Sequence, residues 1–538
     1  MTIDMKRMSN PEGKDINVNK KGISLPFVAK LLMVDFLMLV LTYGGFYRSI
    51  FANSDTLWGA LDPSSTFKAR LDCCRWIPAI IEWTMNNIGF LPALNFRLSL
   101  FLFICTLSVS LLMLQVVFVK LFDEICNSYH NRKELRIFVI LAVSVSFVNV
   151  LFTEFFYFTE SFYIFGLAFL FMGIGIYMLS RKRIGLSILF FLCMTMCYQM
   201  SCPIATICIG VYVYLEHRGE LSFELIKDEL IKALPPMILF VLDFVTGPVV
   251  QGILAKFGIE SYMEKSPSGD YSLSEYLSII LLSIKELVSS NLGLTPGGYI
   301  CVLGFGISAI VVLFASIKRK SWNQVASFLC VEIILTVLVL AVPIAENPRY
   351  FVARTVLPLF FALSMQFLIM IFYISYYHDY DTTLRYIKKT LYILPALFML
   401  FNIFFIQCII ENRIVSETLD SLYAERIFDT IEAYEEETGI IVDKIAPTND
   451  TDSSPFYDQV HFCRGAVNRR CYSYYTWTFL QYCAYETNLA GKLSGRSFER
   501  VSMDESIYKE YFEGKNWDYF DAEKQIVIRG DTVYICVF

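Results

Sequence analysis

The sequence is poor in charged residues and in histidine. Asp, Glu, Lys and Arg make up 18% of its 538 residues, and only 4 residues are histidine, whereas soluble domains carry about 25% charged residues. The formal net charge of -6 argues against a nucleic-acid-binding protein. Hydrophobic residues make up 56% of the chain, and the mean hydropathy is +0.52. This composition is typical of a polytopic membrane protein.

The sequence also lacks cysteine pairs with zinc-ligand spacing and an N-terminal signal peptide. Its 15 cysteines include no CxxC motif, so we expect no metal and no cofactor. Many of them lie in apolar runs, where cysteine behaves as a small hydrophobic residue. Residues 1–24 are polar and basic and lead into an apolar stretch long enough to span a bilayer. We interpret them as a cytoplasmic tail before a retained first helix.

Long apolar runs recur through the first three quarters of the chain. A membrane helix needs about 20 apolar residues, and by this criterion we predict about eleven spans. They lie at 27–47, 98–119, 137–153, 162–180, 184–199, 201–215, 235–254, 299–317, 325–344, 356–375 and 391–410. Two further segments, 76–92 and 273–292, are interrupted by polar residues and are interpreted as interfacial helices. The predicted fold is an all-α polytopic membrane domain.

Lysine and arginine in short loops indicate which side of the membrane is cytoplasmic. With the N-terminus inside, every alternate loop is basic; these loops carry Lys120, Arg132, Lys133, Arg136, Arg181, Lys182, Arg183, Arg218, Lys227, Lys232, Lys318, Arg319, Lys320, Arg385, Lys388 and Lys389. The loops assigned outside are 48–97, 153–161, the Gln199 turn, 255–298 and 345–355. We therefore predict a multi-pass plasma-membrane protein with a membrane domain at 25–411.

The polar, acidic remainder, 412–538, is predicted to be a small extracytoplasmic α/β domain. Its predicted elements are a helix over 412–438 ended by Gly439, a strand over 440–446, a helix over 473–486 and a hairpin over 526–538 that turns at Gly530-Asp531. Cys463 and Cys471 form a disulfide if this domain is outside the cell. Free buried thiols are the equal alternative.

The loops assigned outside contain carboxylates, arginines and aromatic residues that can meet at one membrane face. These residues are Asp55, Arg70, Asp72, Arg75, Glu154, Tyr157, Glu160, Tyr198, Gln199, Glu346, Arg349, Tyr350 and Arg354. A carboxylate can deprotonate an acceptor hydroxyl, and arginines can pair with a departing phosphate. Such a set suits sugar transfer from a lipid phosphate. It equally suits a gated transporter vestibule, and each residue taken alone is better explained as structural.

Three acidic residues, Asp35, Asp243 and Glu332, lie inside predicted spans. An acidic group is costly within a bilayer, which favours a functional interpretation such as proton relay. The alternative is a hydrogen bond to a neighbouring helix. We favour the second interpretation because the three residues share no spacing and have no obvious basic partner.

Several short motifs resemble those of bacterial serotype-conversion glucosyltransferases, which are polytopic enzymes of the GT-C class. NSDT (53–56) followed by a tryptophan and then CRW (74–76) resembles the N-D-D…G-R-W opening of that family. FTESFYIFGLAFL (158–170) is similar to its Thr-Ser-Tyr helix start, and YQMS (198–201) to its Tyr-Gln-Ser turn. The arginine-bearing loop before the predicted tenth span also fits. Together these motifs cover roughly 30–410.

The resemblance implies an inverting, metal-independent transfer of a sugar, typically glucose, from a polyprenyl phosphate to a surface polysaccharide at the outer face. Asp55 would be the catalytic carboxylate and Arg75 the arginine of G-R-W. Substrate and phosphate would be bound by Arg70, Arg75, Glu154, Tyr157, Glu160, Gln199, Arg349, Tyr350 and Arg354. The chain departs from the pattern at Ser54, which replaces the first of two acids, and at Cys74, which replaces glycine.

Two other functions remain open. A flippase or transporter of lipid-linked sugars or polysaccharide would use alternating access and usually internal repeats, and no repeat relates the two halves of this chain. A structural membrane protein would use the acidic C-terminal region to bind a partner. Removal of residues after about 412 is the discriminating experiment: loss of a complex with retained transfer chemistry would assign this region to recognition only.

The predicted orientation can be tested by cysteine labelling. In a variant without the native cysteines, we expect Asp55→Cys to react with a membrane-impermeant maleimide added to intact cells. Lys182→Cys should react only after the cells are permeabilised, because its loop is predicted to be cytoplasmic. Labelling of position 55 only from the cytosolic side would contradict the orientation.

Overall fold

The computed structural model describes residues 25–48, 63–92, 95–126, 131–256, 272–289, 298–345, 353–377, 390–449, 498–515, 517 and 521–537. These residues are mostly helical and end in a small mixed sheet. The helices of the first half are α1 Leu25–Tyr43, α2 Pro63–Asp72, α3 Trp76–Asn87, α4 Phe96–Ile125, α5 Arg132–Ser144, α6 Phe162–Ser180, α7 Ile184–Cys197 and α8 Ser201–Glu216. Those of the second half are α9 Phe223–Lys232, α10 Leu234–Lys256, α11 Leu273–Ser289, α12 Gly298–Lys318, α13 Trp322–Ala345, α14 Pro358–Tyr377 and α15 Leu394–Thr438.

Eight stretches of the described residues are long and apolar enough to cross a membrane. They are Leu25–Arg48, Phe96–Ile125, Thr159–Ser180, Leu234–Lys256, Tyr299–Lys318, Trp322–Val342, Arg354–Tyr376 and Thr390–Glu411. Helices α7 and α8 are apolar but shorter, at 14 and 16 residues. A multi-pass membrane protein is therefore supported, with fewer full-length spans than the sequence predicted.

The prediction of a continuous span over 137–153 is wrong. Helix α5 has 13 residues and ends at Ser144, which gives about 20 Å of helix against the roughly 30 Å of a bilayer core. Turns follow it, and then short 3-10 helices at Val150–Tyr157 and Thr159–Ser161. All residues of these two 3-10 helices are buried, and Phe158 between them is half-buried. Irregular backbone at membrane depth is stable only when protein covers it.

Side chains of neighbouring helices satisfy the backbone of this irregular segment. The Tyr43 hydroxyl lies 2.8 Å from the carbonyl oxygen of Phe147 and 2.9 Å from that of Asn149, and it accepts a hydrogen bond from the Asn149 N–H. The Asn402 side-chain oxygen accepts from the Val150 N–H at 3.1 Å. Because every buried backbone group needs a partner, Tyr43 and Asn402 hold this break in the helix.

Helices α4 and α14 form the centre of the membrane part. Helix α4 packs against α1, α5 and α6, and α14 packs against α5, α8 and α12. Small residues let α4 and α6 approach closely: a Cβ added at Gly173 would lie 3.2 Å from the Ser110 backbone, and one at Gly166 would clash with Thr106. This contact is the small-residue packing that membrane helices use in place of a hydrophobic driving force.

Helix α15 runs without interruption from the last apolar stretch into the C-terminal region. It ends as predicted at Gly439, which has a φ of 72° and donates its N–H to the Glu435 carbonyl. Ile427, Phe428 and Ile431 are buried on its C-terminal part, and this helix contacts the C-terminal sheet. Residues 412–438 are therefore helical, as the spacing of apolar residues predicted.

The C-terminal sheet has four strands in the order β2-β1-β4-β3. The strands are β1 Lys444–Asn449, β2 Glu499–Arg500, β3 Ile526–Arg529 and β4 Thr532–Val537. Strand β1 is parallel to β2 and β4, and β3 and β4 form an antiparallel hairpin. The hairpin turns at Gly530, whose φ is 62°, as predicted. The predicted helix over 473–486 and the Cys463–Cys471 pair lie outside the described residues.

Tyr43 gives a direct test of the irregular segment. We expect Tyr43→Phe to lower the free energy of unfolding by about 1–3 kcal/mol, because it leaves buried backbone groups of Phe147 and Asn149 without their partner. Thermal unfolding of the purified protein in detergent measures the effect. Tyr47→Phe is the matched control, because Tyr47 is 53% exposed and its ring contact with Arg97 survives the change. Equal stability of the two variants would contradict the role of Tyr43.

Candidate functional site

Four of the predicted outer loops meet in one place, which we call the polar cluster. It consists of Arg70, Arg75, Glu82, Glu154, Glu160, Tyr198, Gln199 and Arg354, and side-chain contacts join its parts. The first loop contacts the 3-10 segment through Arg70 and the α7–α8 turn through Arg75, and the segment before α14 contacts the 3-10 segment through Arg354. Residues more than 200 positions apart in sequence therefore share one site.

Arg70, near the end of α2, contacts three polar side chains of neighbouring elements. Its Nε lies 3.3 Å from Glu82 Oε2, and its Nη2 donates to the Ser161 hydroxyl at 2.9 Å and lies 3.8 Å from Glu160 Oε1. Burial alone would lower the pKa of Arg70, but the neighbouring phenol and carboxylates outweigh it and raise that pKa. The Arg70 charge is thus held and compensated within the protein.

Glu82 links the interfacial helix α3 to this centre. It is 5% exposed, although its neighbour Trp83 on the same helix is 59% exposed. Its carboxylate accepts hydrogen bonds from the Thr66 hydroxyl and, at 3.0 Å, from the Tyr163 hydroxyl. A carboxylate buried on an otherwise apolar helix needs such partners, so α3 is fixed in rotation about its own axis.

Arg354 and Glu154 form the second ion pair of the polar cluster. The Glu154 carboxylate accepts one hydrogen bond from the Arg354 guanidinium and one from the Arg354 backbone N–H. The guanidinium also lies over the Phe158 ring, 5.0 Å from its centroid. This pair ties the start of the irregular segment to the turn before α14.

Arg75 differs from the other two arginines. Its guanidinium lies over the Tyr198 ring, 5.3 Å from the centroid, and it pairs with no carboxylate of the described residues. Its Nε is buried and has no hydrogen-bond partner among them. A buried N–H of a cation without a partner is unusual and leaves Arg75 able to bind an anion.

The backbone between α2 and α3 directs Arg75. Cys74 has a φ of 58°, in the left-handed region. Its N–H donates to the Leu71 carbonyl, and the Arg75 N–H donates to the Arg70 carbonyl, both at 2.9 Å. The Gln199 amide donates to the Cys73 carbonyl at 2.8 Å. This tight turn reverses the chain so that Arg70 and Arg75 lie in the same cluster.

The structure thus brings together most of the predicted site residues. Tyr157 is buried beside Phe46, with its ring edge-on at 6.0 Å between centroids. Asp55, Glu346, Arg349 and Tyr350 lie outside the described residues. The sequence analysis missed Thr66, Ser161 and Tyr163 and did not assign Glu82 to the site. The contacts of Glu82 could have been predicted, because an acidic residue in an apolar interfacial helix requires a polar partner.

Two of the acids predicted within spans have polar neighbours. Asp35 is buried and accepts a hydrogen bond from the Gln115 amide at 3.0 Å, and the same amide nitrogen lies 3.1 Å from the Ser144 hydroxyl. Glu332 lies beside the Gln366 amide. Contacts of this kind agree with the structural interpretation of these acids. Within the described residues, no three His, Cys, Asp or Glu side chains are grouped as metal ligands would be.

No protein-family model, curated protein or solved structure matches this chain. The function must therefore be argued from the residues of the polar cluster themselves.

The different bonding of the two neighbouring arginines is measurable as stability. We expect Arg70→Met to lower the free energy of unfolding by about 3–5 kcal/mol, because it leaves Glu82 and Glu160 buried without their counter-ion. Arg75→Met should cost about 0.5–1 kcal/mol, the value of its cation–π contact with Tyr198. Chemical denaturation of both variants in the same detergent gives the comparison. A larger loss for Arg75→Met would contradict this division of roles.

Proposed function

We propose that the protein is a membrane glycosyltransferase of the GT-C type. It moves a sugar, with glucose the expected one, from a polyprenyl phosphate to a cell-surface polysaccharide at the outer face of the plasma membrane. The observation that carries the proposal is the polar cluster, in which Arg75 has an N–H without a partner among the residues that the structure describes, while Arg70 and Arg354 are neutralised by glutamates. One arginine is available to a phosphate, and the others build its surroundings.

The surroundings of Arg75 suit a donor that is part lipid and part sugar phosphate. The interfacial helix α3 follows directly after Arg75 and exposes Trp76, Ile80 and Trp83, which is the composition of a helix at the lipid–water boundary. A polyprenyl chain in the bilayer would thus bring its phosphate to the level of Arg75. Guanidinium groups bind phosphate through charge-assisted hydrogen bonds, and the Tyr198 ring fixes the position of this one.

The proposed reaction is a single displacement. The acceptor hydroxyl oxygen attacks the anomeric carbon, and the bond from that carbon to the phosphate oxygen breaks with inversion. Asp55 takes the hydroxyl proton as general base, and Arg75 stabilises the charge that grows on the departing polyprenyl phosphate. Glu154, Glu160, Arg70 and Arg354 position these groups through the contacts described above. Tyr157, Gln199, Arg349 and Tyr350 are proposed to complete the substrate site.

The conformation of Cys74 supports the resemblance on which this proposal draws. Cys74 occupies the position of the glycine in the family's G-R-W motif, and its φ of 58° is one that glycine adopts without strain. The backbone at Cys74 is therefore one that a glycine would also adopt, which is consistent with a G-R-W-like turn before Arg75 and Trp76. Ser54, the other departure, lies outside the described residues.

A flippase or transporter of lipid-linked sugars is the second candidate, and the irregular segment between α5 and α6 favours it. Interrupted helices near the middle of a membrane form the substrate sites of many transporters. The acids Asp35 and Glu332 lie within candidate spans and could carry protons across the membrane. The two functions differ in whether an acceptor becomes modified.

Transfer activity provides the test. We expect Asp55→Asn to lower the rate by about 10²–10⁴, the usual contribution of a general base, and Arg75→Met to lower it by about 10²–10³. The measurement is sugar incorporation from a synthetic polyprenyl-phosphate glucose into surface polysaccharide by membranes that contain the protein.

Asp62→Asn, a change to another aspartate of the same loop, is the matched control and should leave the rate unchanged. Thermal unfolding confirms that each variant is folded. Wild-type activity of a folded Asp55→Asn variant would reject the proposal. Movement of the lipid-linked sugar across vesicle membranes without any modified acceptor would favour the transporter instead.

A further inference from the structure

A pocket of about 370 Å³ lies between α8, the short helix α9 and α13, in a part of the fold that the polar cluster does not use. Its walls are almost entirely apolar and include Ile207, Val211, Leu225, Val331 and Leu335. The pocket is separate from the polar cluster. Gly210 lines the pocket and lies nine residues after Ser201, where α8 begins beside the cluster, which is about 14 Å along the helix axis. We define this space as the α9 pocket.

Helix α9 forms one wall of the pocket and is amphipathic. Ser222 caps this helix by accepting a hydrogen bond from the Leu225 N–H. The side-chain amide of Asn323 on α13 accepts from the backbone N–H of Leu221 and donates to the Leu221 carbonyl. Phe223 and Leu230 on α9 are 78% and 57% exposed. An amphipathic helix with large exposed apolar residues lies in a membrane interface. We therefore expect a molecule that enters the pocket to come from the bilayer.

The charged groups beside the pocket pair with one another. The Lys232 ammonium lies 2.9 Å from carboxylate oxygens of both Glu216 and Asp228, and His217 lies 3.0 Å from Asp228. Glu229, whose side chain lines the pocket, is left out of these ion pairs. Burial raises the pKa of Glu229 to about 8, so at neutral pH most of this carboxyl is protonated and can donate a hydrogen bond.

Ser327 supplies a second polar group on the opposite wall. It is 1% exposed, lines the pocket from α13, and its hydroxyl has no hydrogen-bond partner among the described residues. Most serine hydroxyls in helices bond to a carbonyl of the preceding turn, as Thr206 on the facing helix does with Cys202. A buried hydroxyl left unpaired beside a cavity points to a partner that enters the cavity.

We propose that the α9 pocket binds a single-chain lipid with an uncharged hydroxyl head. The chain lies along the apolar wall, and the hydroxyl meets the Glu229 carboxyl and the Ser327 hydroxyl. A charged head is disfavoured because the charged side chains beside the pocket already pair with one another. Among the described residues, no other charged group that could pair with such a head lines the pocket. The size of the cavity falls within the usual range of small-molecule sites.

A photoreactive long-chain alcohol tests this proposal. The full-length protein in phosphatidylcholine nanodiscs is incubated with hexadecanol that carries a diazirine on its chain, irradiated and analysed by peptide mass spectrometry. We expect adducts on α8, α9 and α13 that unlabelled hexadecanol competes away. Hexadecanoic acid and hexadecylamine should compete at least about threefold less well, because each brings an unpaired charge.

Variants separate a specific site from general lipid contact. Cys330→Trp fills the pocket, since exposed Cys330 lines it, and should abolish the adducts. Ile333→Trp is the matched control on the same helix, because Ile333 is 65% exposed and does not line the pocket. Glu229→Gln keeps a donor and should retain binding, whereas Glu229→Leu should weaken it by about threefold to tenfold, the value of one hydrogen bond.

Three results would overturn the proposal. Adducts spread evenly over the lipid-facing helices, unchanged by Cys330→Trp, would show only general contact with lipid. Stronger competition by the acid or the amine would reject an uncharged head. Equal binding by folded Glu229→Leu and Glu229→Gln variants would remove Glu229 from the site. Transfer activity is not part of this readout, so the outcome is independent of the proposed enzyme.

Discussion

The geometry of the polar cluster depends on one buried guanidinium. Arg70 is shared between Glu82 on α3 and Glu160 in the segment before α6, with the Ser161 hydroxyl completing its contacts. A charge removed from water must be paired, and leaving its partner alone is strongly destabilising. These elements can therefore pack in only a few relative positions that keep the ions together.

The position of Arg75 follows from that constraint. Its backbone N–H donates to the Arg70 carbonyl, and the left-handed Cys74 between them fixes the direction of the chain. The Arg75 side chain then stacks on Tyr198, whose neighbour Gln199 bonds back to the Cys73 carbonyl. Arg75 has an N–H without a partner among the described residues, yet it stays in place because these hydrogen bonds hold its backbone. This division between supporting and available side chains is how preorganised sites are built.

The sequence predicted the parts of the fold that depend on length and composition. Most of the apolar runs, the end of α15 at Gly439 and the hairpin at Gly530 are local signals that the structure contains. The prediction from the sequence failed at 137–153, because hydropathy records how apolar a run is and not how its backbone is hydrogen-bonded. The break after Ser144 is stabilised by Tyr43 and Asn402, which lie about 100 and 250 positions away along the chain. A contact of that separation leaves no local pattern.

The same limit applies to the polar cluster. Residue type and loop assignment were enough to predict which segments contribute to it, including Arg70, Glu154 and Arg354. They could not distinguish Arg70 from Arg75, because the two arginines stand five positions apart in the same polar loop. Only the three-dimensional contacts show that one is paired with two acids and the other lies on an aromatic ring.

The unbroken course of α15 sets a distance. Its 45 residues amount to about 68 Å of helix at 1.5 Å per residue, more than twice the roughly 30 Å thickness of a bilayer core. The excess forms a rigid stalk, at whose far end the four-stranded sheet begins. The distance between the last candidate span and the sheet is therefore set by the number of helical turns rather than by a flexible linker.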